Sequence, residues 1–182
     1  MAMDAWGTFQ ITYATPEQAK APEQFFRFKP TYEKFKAYRA EVLEAALFIE
    51  SRLDVLLCAI FVGADEGRRN QFQALVLQPE CCTTFQKWKM LREAMAMNGI
   101  PGGCLNEAER KSFLAGLQTL ISDRNQFAHG TLFIDVRDGR ALIQFFEGKA
   151  KVRYLSEDAI RGILKSATMV HVQLEKLIAA VQ

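Results

Sequence analysis

Between Val42 and Ile60 the apolar residues Val42, Ala46, Ile49, Leu53, Leu56 and Ile60 step by four, three, four, three and four. That period belongs to one buried stripe of a helix, since a strand sorts its side chains by twos. Glu33, Lys34, Lys36, Glu41, Glu44 and Arg52 supply mixed charge around the stripe. The spacing predicts a long helix from about Thr31 to Val62, and with it a chain built mainly of helices.

The segments on either side are read from this helix outward. Residues 1–30 carry Pro16, Pro22 and Pro30, three of the five prolines. Alternation of Phe9, Ile11 and Tyr13 predicts one strand there, and the rest of 1–30 is expected to be extended. Gly63-Ala64-Asp65 closes the long helix, and a second runs from about Glu66 to Leu77, before Pro79. Thr83 or Thr84 caps a third, ending near Met97, ahead of Asn98-Gly99 and Pro101-Gly102-Gly103. Asn106 and Glu109 have capping-box spacing. The helix they open carries Phe113, Leu117, Leu120 and Phe127 and stops near Gly130, a good residue just past a helix end.

After Gly130 the period falls to two. TLFIDV, RDGR and ALIQFF read as a β-hairpin over about 131–146, with Asp138-Gly139 as a two-residue turn. That turn pairs Val136 with Ala141, Ile134 with Ile143 and Leu132 with Phe145, an apolar face. Lys149 to Leu155 adds a third strand with Lys149, Lys151 and Arg153 on one side. Ser156 caps a last helix whose stripe is Ile160, Ile163, Ala167, Val170, Leu174, Leu177 and Val181. The expected fold is mainly α: an antiparallel bundle of four to five helices over 31–182, with a small hairpin inserted before the C-terminal helix.

Composition narrows the chemistry. Of 182 residues, 23 are Lys or Arg and 21 are Asp or Glu, a net charge of +2. A protein that coats nucleic acid through bulk charge is excluded. The two histidines, His129 and His171, leave no histidine-rich metal site, and no metal or cofactor is expected. Cys58, Cys81, Cys82 and Cys104 contain no CxxC spacing, so reduced thiols and a cytoplasmic location are expected. MAMDAWGTFQ lacks the basic and apolar stretches of a signal peptide, and the apolar run Val55–Ala64 is too short for a bilayer. A soluble protein is expected.

One segment breaks the helical pattern. In ISDRNQFAHG, the stripe through 113, 117 and 120 calls for an apolar residue at 124, and Arg124 stands there. Arginine is seldom buried without a partner. Asn125 and His129 are i, i+4 neighbours on an adjoining face, with Arg124 to one side. Two readings stand. Arg124 pairs with Asp123, Glu50 or Asp54 to knit the bundle, with His129 favouring the negative end of its helix; or the three form a site, as pattern failures do.

RNQFAHG resembles the motif of the HEPN superfamily, an arginine and a polar residue followed by histidine after four to six intervening residues; here the gap is four. The resemblance extends over about 31–182 in its order of helices and is specific only around 124–130. It implies a helical domain, of the kind found in abortive-infection and toxin proteins, that dimerises so that two motif helices meet in a cleft. It further implies a metal-independent endoribonuclease acting in toxin–antitoxin or phage defence. Catalysis would rest on Arg124, Asn125 and His129, with RNA as substrate and an antitoxin protein as a partner. Imidazole serves as base or acid near neutral pH, and a guanidinium grips phosphate oxygens in a planar fork. The sequence departs from some toxin members in having Thr131 where they carry a modifiable tyrosine. The alternative is a catalytically silent HEPN-like module that binds nucleotide or RNA, or dimerises.

Further candidates each have a plain structural reading. Glu50, beside the core stripe, is a candidate partner of Arg124 or an exposed helix-face glutamate. Lys149, Lys151 and Arg153 are candidates for RNA backbone contacts, or charges that keep an edge strand from pairing. Lys87, Lys89 and Arg92 around Trp88 resemble a stacking surface, but Trp88, Leu91 and Met95 read first as a packing stripe. His171, next to Val170 and near Leu174, reads as a core-edge histidine.

Overall fold

The computed structural model describes residues 13–14, 22–78, 80–97 and 104–181. The chain is mainly helical, with a small antiparallel sheet before the C-terminal helix, as the periodicity predicts. In order come β1 (Tyr13–Ala14), α1 (Pro22–Val62), α2 (Glu66–Leu75), α3 (Thr84–Ala96) and α4 (Glu107–His129). There follow β2 (Thr131–Asp135), β3 (Ala141–Glu147), β4 (Lys149–Tyr154) and α5 (Glu157–Val181). Among the described residues no helix is long and apolar enough to cross a membrane.

The helix ends follow their side chains. Thr83 accepts from the Gln86 N–H while the Gln86 side chain accepts from the Thr83 N–H, a complete capping box. Asn106 and Glu109 exchange the same pair of bonds at the start of α4, at 2.9 and 2.8 Å. Ser156 accepts from the Ala159 N–H and opens α5. Each device satisfies backbone donors that a helix start otherwise leaves unpaired.

The contacts divide the chain into two compact units: residues up to Glu41 with Asn125–Arg161, and Val42–Arg124 with Gly162–Gln182. In the second unit the stripe of α1 is buried from Val42 to Leu56, with Val42, Leu53 and Leu56 fully hidden, and Ile60 is half-buried. Arg52 grips Glu175 of α5 through two nitrogens, at 2.5 and 2.7 Å. Trp88 of α3, itself buried, donates its indole N–H to the Leu114 carbonyl of α4 at 3.0 Å. Here Trp88, Leu91 and Met95 are core, so they offer no stacking surface. His171 sits at the margin, its ring edge-on to Phe48 and its Nδ1 3.5 Å from Glu175.

In the first unit the sheet runs β1-β2-β3-β4, all antiparallel. The strand expected around Phe9–Tyr13 appears as the pair Tyr13–Ala14, beside Asp135 and Ile134; Phe9 and Ile11 lie outside the described residues. Residues 22–30, expected to be extended, are instead the first turns of α1. Pro22 stands at the helix's first position, where the missing N–H costs nothing. Pro30 gives up one helical hydrogen bond, and Phe28, buried beside Gly139, anchors that segment to the hairpin tip.

The hairpin register also differs from expectation. Ile134 pairs with Ala141 and Leu132 with Ile143, a slip of two residues. An even slip keeps every side chain on its face, so the apolar face survives: Leu132, Ile134, Ala141 and Ile143 are buried. Asp135 is the cause. Its carboxylate accepts from the Arg137 N–H and guanidinium, and its carbonyl accepts from the Gly139 N–H. Those bonds end β2 at Asp135 and turn the chain over Val136–Gly139, with Gly139 at φ 73°. The Arg137 guanidinium holds the Asp135 carboxyl down to about 2 against the opposing effect of burial; Tyr154 adds a hydroxyl donor at 3.2 Å.

Candidate functional site

α4 carries the motif through its last two turns. Phe113, Leu117, Leu120 and Ile121 are buried, and Phe127 resumes the stripe after the polar interruption. Arg124 is half-buried, whereas Asn125 and His129 are exposed. At about 100° per residue, Asn125 and His129 lie on one face, and Arg124 lies about 140° from His129 around the axis. The three do not share a face of the helix.

Arg124 belongs to the second unit and lines a narrow pocket there, with room for about one water. Ala46, Ile49, Glu50 and Leu53 of α1 form one wall, Thr84 of α3 another, and Leu117, Leu120 and Ile121 the remainder. Glu50 is thus not the exposed helix-face residue that the plain reading supposed: only 16% of its side chain is accessible. Behind it sits Lys87, 2% accessible, whose ammonium donates to Glu50 Oε1 at 3.1 Å and Asp54 Oδ2 at 3.0 Å. The sequence pattern placed Lys87 among surface cations, and the structure places it in the core.

A buried lysine between two carboxylates is an ion cluster of net charge −1. Burial tends to lower the Lys87 pKa, but hydrogen bonds to Asp54 and Glu50 outweigh it and raise it overall. Burial pushes Asp54 up, against the pull of Lys87. The same desolvation raises the thiols of Cys58 and Cys82, both buried nearby. A buried charge of this kind is costly unless compensated, and Arg124 lines the same pocket as Glu50.

His129 and Asn125 belong to the first unit. His129 is the last residue of α4, where unpaired carbonyls concentrate partial negative charge. Arg39 of α1 satisfies one of them, its Nη2 donating to the Ala128 carbonyl at 3.1 Å. Arg153 of β4 donates to the Gln126 side-chain oxygen at 3.0 Å. Two arginines therefore grip the last turn of α4, one on the backbone and one on a side chain. Sequence reasoning missed Arg39; the signal was its place between Phe35 and Val42, on the inward face of α1, a second arginine where an apolar residue is due.

Gly130 fixes how this turn meets the sheet. A Cβ there would overlap the Gln126 carbonyl and come within 2.6 Å and 2.8 Å of two Ile143 atoms. Lys149, Lys151 and Arg153 alternate along β4 and fall on the face that Ile143 and Phe145 share, since Arg153 pairs with Ile143 and Lys151 with Phe145. Lys151 also bonds Glu147 at 2.7 Å.

Among the described residues no cluster of three or more His, Cys, Asp or Glu side chains is placed to hold a metal ion. The exposed end of α4 carries the Asn125 amide and the His129 imidazole, and the Arg39 and Arg153 guanidinium groups bond to its last turn. In comparisons with protein families, curated proteins and solved structures, no match to this chain was found.

Proposed function

We propose that this chain is a metal-independent endoribonuclease of the HEPN type, acting in the cytoplasm as a homodimer in toxin–antitoxin or phage defence. The observation that carries the reading is the exposed Asn125–His129 pair at the end of α4, directly after an arginine standing where the core stripe calls for an apolar residue. His129 takes the proton of a ribose 2′-OH, and the alkoxide attacks the adjacent phosphorus. The P–O5′ bond breaks, and the leaving 5′ oxygen is protonated. The products are a 2′,3′-cyclic phosphate and a 5′-hydroxyl. Arg124 supplies positive charge to the phosphorane, and Asn125 orients the imidazole or the phosphate. Because Arg124 and His129 diverge around one helix, pairing the motif helices of two copies is the natural way to bring an arginine and a histidine to one phosphate.

A second reading has its own support. Arg124 lines the pocket that Glu50 shares, and Glu50 in turn pairs with the buried Lys87. On that account the chain is a catalytically silent HEPN-like module whose arginine serves folding. Incubating purified protein with RNA, alongside Arg124→Ala and His129→Ala, separates the two. The nuclease reading expects cyclic-phosphate ends from wild type, unaffected by a chelator, and none from either variant. Absence of cleavage by wild type, or equal cleavage by all three, refutes it.

A further inference from the structure

We propose that β4 is a track for the sugar–phosphate backbone of single-stranded RNA, leading away from the His129 end of α4. The inference rests on the nuclease reading for its substrate and adds to it the strandedness and path of that substrate. Three observations support it. First, Lys149, Lys151 and Arg153 share one face of β4, and alternate residues of a strand stand about 6.7 Å apart. That is comparable to the step between consecutive phosphates of an extended single strand. Secondly, β4 is the last strand of the sheet, so among the described residues no further strand covers its outer side. Thirdly, Arg153 bonds Gln126, one helical turn before His129, which ties one end of the row to the helix that carries the imidazole.

The neighbours of the row fit a nucleic acid better than a bare charged edge. Phe145, half-buried, is the cross-strand partner of Lys151 and lies on the same face. An aromatic ring beside a cation is a sequence-tolerant seat for a base. The row's acidic member is Glu147, opposite Lys149 and bonded to Lys151. A bound phosphate competes with it for Lys151, so Glu147 weakens RNA binding as the charge of a simple antiaggregation edge would not.

The test uses the full chain and a short 2′-O-methyl single strand, which lacks the attacking hydroxyl and so reports binding without cleavage. Fluorescence anisotropy is followed across salt. Each phosphate contact contributes about 0.7 to the slope of log affinity against log salt for single strands. Lys149→Ser/Lys151→Ser is therefore expected to lower that slope by about 1.4. Across a four-fold rise in salt, its affinity should fall about seven-fold less than that of wild type. Glu147→Gln is expected to bind more tightly, and the duplex of the same sequence more weakly. An unchanged slope in the double variant, or equal binding of duplex and single strand, overturns the track. Binding as expected without cleavage of ordinary RNA refutes the nuclease reading alone; cleavage with an unchanged slope refutes the track alone.

Discussion

Gly130 closes the RNQFAHG segment, and its packing gives a prediction whose size follows from geometry. In Gly130→Ala the new methyl meets the backbone carbonyl of Gln126, which is itself bonded to the Gly130 N–H at 2.8 Å, and two atoms of Ile143. A helix carbonyl cannot rotate away, and Ile143 is completely buried, so it has no rotamer into solvent. Overpacking of this kind costs about 1–3 kcal/mol. For a chain of this size about 2 kcal/mol lowers Tm by about 4–8 °C. Gly162→Ala is the counterpart: its Cβ meets nothing within 4 Å in a regular part of α5. It should stabilise by about 0.5–1 kcal/mol. Thermal melts followed by circular dichroism read both. Trimming Ile143 to Ala in the Gly130→Ala background should relieve part of the strain, so the two losses sum to more than the double variant shows. A Gly130→Ala protein that melts at or above wild type refutes the close approach of α4 and β3.

Two further predictions concern buried charge. Lys87→Met leaves Glu50 and Asp54 facing each other without their cation, and should cost about 3 kcal/mol or more in urea denaturation at neutral pH. The deficit should shrink as the pH falls, since burial raises the Asp54 pKa and its carboxylate takes up a proton early; a deficit under about 1 kcal/mol at pH 7 contradicts the cluster. Asp135 has a folded pKa near 2 against an ordinary 3.8, so its contribution is full above about pH 4 and vanishes as pH falls through about 2. Its size is at most about 2 kcal/mol. Asp135→Asn should therefore be less stable than wild type at pH 5 and equal to it near pH 2, and equal stability at pH 5 refutes the Arg137–Tyr154 arrangement.

What could be read from the sequence was what local side chains dictate. The stripe from Val42 to Ile60 located the body of α1, and the Thr83, Asn106 and Ser156 caps placed three helix starts within a residue. α1 starts at Pro22 and not near Thr31, so Pro30 lies inside the helix, where no local period marks the burial of Phe28 against the hairpin tip. The hairpin slipped because Asp138-Gly139 has the composition of a two-residue turn, while the carboxylate two residues upstream, at Asp135, ends the strand sooner. Lys87 was misread because lysine is nearly always exposed; only the carboxylates one turn apart on α1, Glu50 and Asp54, make its burial tolerable. At the candidate site, Arg124 and His129 stood out by pattern and spacing. Arg39 and the Arg153–Gln126 bond depend on segments far apart in sequence, which no local period encodes.

The depth of Lys87 has a consequence for time as well as stability. An amine enclosed by two carboxylates cannot meet an acylating reagent while the helices around it stay closed, whereas Lys34, Lys89, Lys111 and Lys149 lie open to solvent. Its labelling therefore waits on an opening of the second unit, and mass spectrometry of that single position becomes a clock for how often the helices part. The same label counts against the chain once attached: an acylated Lys87 has lost the cation that its two carboxylates require, so a molecule caught open is hindered from closing again.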